Sequence, residues 1–400
     1  MAQIGHMTEH AAGFSTEQRA LIRILGGNPR AVAEVRALLA LRLDWEALLE
    51  LAQTHGVTPL LFRWLREHAE DLVPAETFTG LRDRYHASAA KSIQLTHELT
   101  QVIGALAAAE VAVMPLRGPA LAVQAYGDPT LRQFSDLDLL VHPQDLPRAY
   151  QSLSEIGYQS ILGLPGGRLP GFRTALQPTV ELQRTGCIVE LHSAAMEKRL
   201  VDTVPSSHWW QETGTVELHG KPYHCLSRVN NLLLAAIHGS KHRWRTLKWI
   251  VDLSALLRDA TEAEREQLLG HAEEFGLRRL VTSAVELADA LCHEPERVQQ
   301  YLLEVEQASP NRLERALGRV AGVPDLEEAL MEMRVFLLLK DRRRDVFAGY
   351  LSRIFVPRTE DLALIALPSW LTPLYYPIRA GRLLGRAILK LPSVFARRSP

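Results

Sequence analysis

Asp136 and Asp138 stand two residues apart in the otherwise apolar run DLDLLV. Successive side chains of a strand point to opposite faces, so both carboxylates are expected on one face, with Leu137 and Leu139 on the other. Burying two neighbouring carboxylates is costly unless a cation or hydrogen-bond donors compensate them. A divalent ion does this well, because Mg²⁺ takes oxygen ligands, keeps part of its water shell and bridges carboxylates to phosphates. Two aspartates on a rigid strand therefore suit two-metal phosphoryl or nucleotidyl transfer. Such a site wants a third carboxylate on a neighbouring strand. Glu190, in the alternating run CIVELH, fits that place; Glu181 in TVELQ competes with it, and spacing alone does not choose between them. Taken alone, the D-x-D would also suit a surface turn or a helix cap.

The surrounding pattern favours the metal reading. Leu116–Arg117–Gly118–Pro119 follows an apolar, strand-like run and opens a helical one. Glycine lets a phosphate approach the backbone closely, a helix N-terminus offers free N–H groups and a positive dipole end, and Arg117 adds charge-assisted bonds. Arg132 suits either a triphosphate contact or a pair with a loop acid. His192 shares a strand face with Glu190, as the partner that orients a carboxylate or as a structural histidine. His238, His242, Arg245, Trp249 and Asp252 recur at spacings of three and four, which predicts one helix face. His-x-x-x-His can bind zinc, but no Glu follows the first His as a metalloprotease requires. A face bordering the site, with Lys241, His242 and Lys248 toward nucleotide phosphate or base, is the alternative; the plainest reading is an interdomain face with Trp244 and Trp249 as core.

Around these residues the chain divides into five parts. Residues 1–14 form a flexible arm. Residues 15–90 read as a helical region, with a capping box at Ser15 and Gln18 and a helix following Asp44. Residues 91–225 form a mixed core, entered by a long helix over 86–110. Its expected strands are 111–116, 135–141 and 158–162, followed by two alternating runs that form a hairpin around Arg184–Thr185–Gly186. Helices are expected over 117–127 and 145–156, and the loop 163–171 reads as a mobile lid or a plain linker. Residues 226–361 form a C-terminal helical domain with one continuous helical stretch over 230–260 and further helices at 262–275, 279–291, 295–306 and 326–340. Residues 362–400 form a basic amphipathic tail without an acidic residue, which suits a helix wrapping the body or weak contact with a membrane surface. The fold class expected is α+β, a mixed-sheet core flanked by helical regions.

Composition narrows the function classes. The 400 residues carry 45 Lys and Arg against 46 Asp and Glu, a net charge of −1, which argues against bulk electrostatic binding of nucleic acid. Cys187, Cys225 and Cys292 make neither an even disulfide framework nor a CxxC spacing, so a reduced, cytoplasmic protein is expected. No apolar run reaches the ~18 residues of a membrane span, and no signal peptide is expected at the N-terminus.

In the order Gly118, Asp136-x-Asp138, Glu190, the sequence resembles the nucleotidyltransferase fold of the DNA polymerase β superfamily. The segment LRGPALAVQAYGDPTLRQFSDLDLLVHPQDLPRAYQSLSEIGYQ looks more closely like the bacterial uncharacterised nucleotidyltransferase family. The matching positions are Leu116–Gly118, Tyr126, Leu131–Arg132, Asp136–Val141, Gly157–Tyr158, Glu190–His192 and the helix from His238 to Trp249, and the tail PSWLTPLYYPIRAGRLL resembles the family's C-terminus. Three positions depart. Pro119 replaces the superfamily's second small residue and removes an N–H donor; Arg117 stands where the family has lysine; Glu190 is one methylene longer than the usual aspartate. The resemblance implies attack of an acceptor hydroxyl on the α-phosphate of a nucleoside triphosphate, with AMP from ATP as the expected group transferred. It implies two Mg²⁺ ions held by Asp136, Asp138 and Glu190, and nucleotide contacts from Arg117, Gly118, Arg132, Lys241, His242 and Lys248. The acceptor is a small molecule, a peptide or a protein. The rival expectation is a catalytically inactive nucleotide-binding or regulatory module with the same fold, which Pro119 favours.

Overall fold

A computed structural model describes residues 15–161, 179–195, 204–307, 339–346 and 369–382, together with Pro357, Ile365 and Leu367. The arm 1–14, the loop 163–171, nearly all of the helix expected at 326–340 and much of the basic tail lie outside the described residues.

The chain opens with four short helices, α1 (Thr16–Gly26), α2 (Val32–Leu39), α3 (Trp45–Thr54) and α4 (Thr58–His68). Side chains cap the starts of α1 and α3. The Ser15 hydroxyl accepts from the Gln18 N–H while the Gln18 side chain accepts from the Ser15 N–H, and Asp44 accepts from the Ala47 N–H. The helix expected to begin at 86 begins earlier: α5 runs unbroken over Ala75–Ala108. Leu81 joins the helical core with Leu61 and Leu65, whereas Leu95, Leu99, Val102 and Leu106 pack under the sheet. One helix thus ties the two apolar cores together.

Strands β1 (Val113–Pro115), β2 (Asp136–Val141), β3 (Gln159–Ser160), β4 (Thr179–Arg184) and β5 (Cys187–His192) form a mixed sheet in the order β1-β2-β5-β4-β3. Only β2 and β5 pair in parallel; the other neighbours are antiparallel. Helix α6 (Gly118–Tyr126) links β1 to β2, and α7 (Leu146–Glu155) links β2 to β3. The β4–β5 hairpin turns as expected at Thr185 and Gly186, both with positive φ, +47° and +78°. Leu137, Leu139 and Val141 of β2 and Cys187, Val189 and Leu191 of β5 face one apolar core, under α5 and α7.

After the short helix α8 (His208–Gln211), a second hairpin pairs β6 (Thr213–Leu218) with β7 (Lys221–Leu226). The sequence reading names no strand here. The stretch expected as one helix over 230–260 is two, α9 (Arg228–Lys241) and α10 (Leu247–Arg258). Arg243 and Trp244 between them adopt left-handed backbone, φ +55° and +51°. The buried Trp244 ring folds back onto Gly239, and the Trp244 backbone N–H donates to the Gly239 carbonyl at 2.8 Å. A β-carbon on Gly239 would lie 2.2 Å from that ring. Gly239→Ala is therefore expected to destabilise the fold by about 1–3 kcal/mol through overpacking, despite the ~1 kcal/mol that alanine gains in a helix. The thermal midpoint of the variant against wild type checks this.

Helices α11 (Glu262–Glu274), α12 (Arg278–His293) and α13 (Pro295–Gln307) follow. Leu21 and Leu25 of α1 share one apolar core with Leu253 and Leu256 of α10 and Leu280 and Leu287 of α12. The first helix thus closes on α10 and α12 in one core. No helix among the described residues is long and apolar enough to cross a membrane.

Candidate active site

The alternation of β2 does what its sequence implies. Leu137 and Leu139 enter the core below the sheet, and Asp136 and Asp138 take the opposite face. Parallel register sets Asp138 beside Glu190 and Leu140 beside His192. Antiparallel register sets Glu181 of β4 opposite Glu190 and Thr179 opposite His192. Asp138, Glu190 and Glu181 thus form a row across three strands. Glu190 is the member next to Asp138 and half-buried; Glu181 is one strand further out and exposed. Gly118 opens α6 with φ +61° and packs over the backbone of β2, the nearest contact for a β-carbon there being the Asp136 carbonyl. The Leu116 N–H donates to the Asp138 carbonyl at 3.0 Å, which holds the β1–α6 junction against the D-x-D strand.

Asp138 is the most tightly held carboxylate. Arg117 meets both of its oxygens, Nη2 on Oδ1 at 3.0 Å and Nε against Oδ2 at 2.9 Å, and His192 Nε2 reaches Oδ1 at 2.9 Å. Burial opposes its ionisation, yet the Arg117 charge and the His192 hydrogen bond hold its carboxyl far below the usual carboxylate range. His192 lies 3.3 Å from Glu190 Oε2, and its Nδ1 meets the Thr179 hydroxyl at 3.0 Å. Burial disfavours a charged His192, but the hydrogen bonds to Asp138 and Glu190 prevail and raise its pKa.

Asp136 is different. Burial, then the charges of Asp138 and Glu190, raise its pKa against the weaker opposing pull of Arg117 and Lys248. Burial is the larger cause, and the two acidic neighbours add to it. Asp136 shares this face but does not join the group of ligand atoms close enough to hold one cation together. Among the described residues, Asp138, Glu190 and His192 bring ligand atoms within 4.8 Å of one another.

The residues expected to meet nucleotide are distributed unevenly. Arg117 reaches from Asp138 to the half-buried His238 ring, with Nη1 2.7 Å from Nδ1. His238 is held well below its usual pKa, first by burial and then by the Arg117 charge. Lys248 donates to the Gln133 carbonyl at 3.4 Å, and its charge reaches Asp136. The ring of His242 stacks on Trp249 at 5.0 Å, and the Lys241 charge acts on His238. The expectation that His238, His242, Arg245, Trp249 and Asp252 share one helix face is corrected by the break at Arg243 and Trp244. His238 still meets Trp249 across the break, at 5.4 Å between rings.

Arg132 is buried, and its Nε donates to Asp252 Oδ2 at 2.9 Å; Tyr126 donates its hydroxyl to Asp252 Oδ1 at 2.8 Å. Arg132 in the loop before β2 thus pairs with an acid of helix α10, not with the loop acid that the sequence suggested. Arg132 and Asp252 nevertheless line a small cleft together with Arg117, His238 and Trp249, so the pair stands directly behind the carboxylate face. The spacing of Tyr126 gave no hint of this partner. Cys187 and Cys225 are buried, and all three thiols are free.

A mixed sheet with D-x-D on one strand, glutamate on its parallel neighbour and a glycine-opened helix beside them makes a nucleotidyltransferase-like core. Residues 42–293, more than half of the chain, match the uncharacterised nucleotidyltransferase family, and the chain belongs to that family. Among solved structures, the chain is similar to an antigenic nucleotidyltransferase-like protein from Paracoccidioides brasiliensis. That likeness covers 51% of this chain and 93% of the other, at 17% identity and a TM-score of 0.32, too loose to carry an argument about the site. No protein of curated function matches the chain.

Proposed function

We propose that the protein is a metal-dependent nucleotidyltransferase that transfers AMP from ATP to a hydroxyl of a small molecule, peptide or protein. One observation carries the reading: in a chain of this family, Asp136, Asp138 and Glu190 share one face of the paired strands β2 and β5 beside the N-terminus of α6. Asp136 and Asp138 would hold one Mg²⁺, and a second would be shared with Glu190. When bound, such ions neutralise charge on the triphosphate and ease deprotonation of the acceptor hydroxyl.

The chain's own residues supply the positioning on which phosphoryl-type transfer depends. Gly118 leaves the backbone at the head of α6 open to a phosphate. Arg117 and Lys248 bring positive charge to the edge of the carboxylate face. The packing of α6, α9 and α10 behind Arg117 fixes that edge. The cytoplasm, where free thiols stay reduced, is the proposed setting.

Incubation with each labelled nucleoside triphosphate, Mg²⁺ and cell extract is expected to label an acceptor, with ATP the best donor. Absence of label with every nucleotide would overturn the reading. The double contact of Arg117 with Asp138, together with Pro119, favours a second reading, a non-catalytic nucleotide-binding module. An inactive scaffold whose carboxylate is closed by Arg117 shows no Mg²⁺-dependent rise in melting temperature with ATP, whereas the enzyme does.

A further inference from the structure

We infer that His192 is a nitrogen ligand of the metal at this site, and that the site therefore selects a first-row transition ion of the Mn²⁺ kind over Mg²⁺. This rests on the nucleotidyltransferase reading and goes beyond it in naming a ligand outside the carboxylate triad and the class of ion.

The argument is geometric. His192 Nε2 lies 2.9 Å from Asp138 Oδ1 and 3.3 Å from Glu190 Oε2. An octahedral ion about 2.1 Å from each ligand places adjacent ligand atoms about 3 Å apart. The two distances thus match two edges of one coordination polyhedron. The three atoms come from facing positions on a rigid parallel pair, Asp138 beside Glu190 and His192 two residues further along the same strand face. The imidazole is also aimed. The Thr179 hydroxyl meets Nδ1 at 3.0 Å from the neighbouring strand, which turns Nε2 toward the carboxylates. An outer partner on the second ring nitrogen is the usual way in which a protein orients a ligating histidine. Arg117 Nη2 also donates to Asp138 Oδ1 at 3.0 Å while its Nε faces Oδ2, so a bound ion takes the place of the guanidinium at Oδ1.

The donor set then decides the ion. Mg²⁺ prefers oxygen alone. Imidazole nitrogen favours the borderline divalent ions, and Mn²⁺ also accepts carboxylates readily. Two carboxylates and one imidazole consequently rank Mn²⁺ above Mg²⁺.

Pulsed electron paramagnetic resonance on the full chain with one equivalent of Mn²⁺, with and without ATP, tests this. The expected result is a ¹⁴N coupling of directly bound imidazole that changes to the ¹⁵N pattern on histidine-specific labelling. His192→Gln should abolish it and weaken Mn²⁺ binding by roughly ten- to a hundredfold, with a smaller change for Mg²⁺. Thr179→Val, which leaves the ligand in place, should keep the coupling at reduced affinity, and it provides a readout should His192→Gln fold poorly. Mn²⁺ bound at Asp138 without nitrogen coupling, or equal loss of both ions in His192→Gln, would leave His192 a buttress and overturn the inference while the nucleotidyltransferase reading stands. No Mn²⁺ or Mg²⁺ binding by wild type, even with ATP, would overturn both.

Discussion

Asp138→Asn is expected to lower nucleotidyl transfer by about two orders of magnitude or more, ~2.7 kcal/mol of transition-state stabilisation. Asp138 is the carboxylate on which Arg117, His192 and the Glu190 row converge. Asparagine keeps the shape and one acceptor oxygen, so Arg117 retains a partner and the strand keeps its register. The variant loses the negative charge. Release of label-bearing product or pyrophosphate, measured on protein that still melts cooperatively, reads the effect. Retained turnover would remove Asp138 from the machinery. Asp136→Asn is the natural comparison. Its carboxyl is already pushed toward the neutral form by burial and by the two acidic neighbours. Neutralising it therefore relieves repulsion in the free protein, and its loss of rate is expected without loss of stability.

The D-x-D strand was legible because a period of two needs no tertiary information: polar and apolar positions alternate, and the core beneath the sheet bears this out through Leu137 and Leu139. The β4–β5 turn was legible for a similar local reason, since Gly186 marks a left-handed turn between alternating runs. What the sequence withheld was register. Nothing local says that Glu190 rather than Glu181 stands beside Asp138, because a one-residue slip of β5 would turn Glu190 and His192 to the core. The break between α9 and α10 was hidden for the converse reason. Spacings of three and four run on through His242, Arg245 and Trp249, whereas the left-handed backbone at Arg243 and Trp244, with Trp244 folded onto Gly239, interrupts the helix. The β6–β7 hairpin was masked by Gly214 and Pro222, residues that ordinarily argue against a strand. Partners more than a hundred residues apart, Arg117 with His238 and Arg132 with Asp252, lay beyond any spacing rule.

Asp252→Leu is expected to cost about 3–5 kcal/mol of folding stability, read as a lower denaturant midpoint. Both partners are almost fully buried, with side-chain exposure of 6% for Arg132 and 3% for Asp252. Removing the acid leaves the guanidinium in the interior without its counter-charge and the Tyr126 hydroxyl without its acceptor. Burial first, and then the Asp252 charge, already holds the Tyr126 phenol well above its ordinary pKa, so it stays a neutral donor throughout. Tyr126→Phe should therefore cost only about 1 kcal/mol, one hydrogen bond to a buried group. Most of the Asp252→Leu loss should be the penalty of an uncompensated charge, and pairing it with Arg132→Met should recover much of it. A double variant as unstable as the sum of its parts would show that Arg132 and Asp252 hold α10 to the D-x-D loop by shape rather than by charge. Because the pair lines the cleft behind Arg117 and His238, Asp252→Leu should also lower transfer activity at temperatures where the variant is still folded. The double variant then separates the two roles: it should regain stability while the arginine that faces the cleft is still missing.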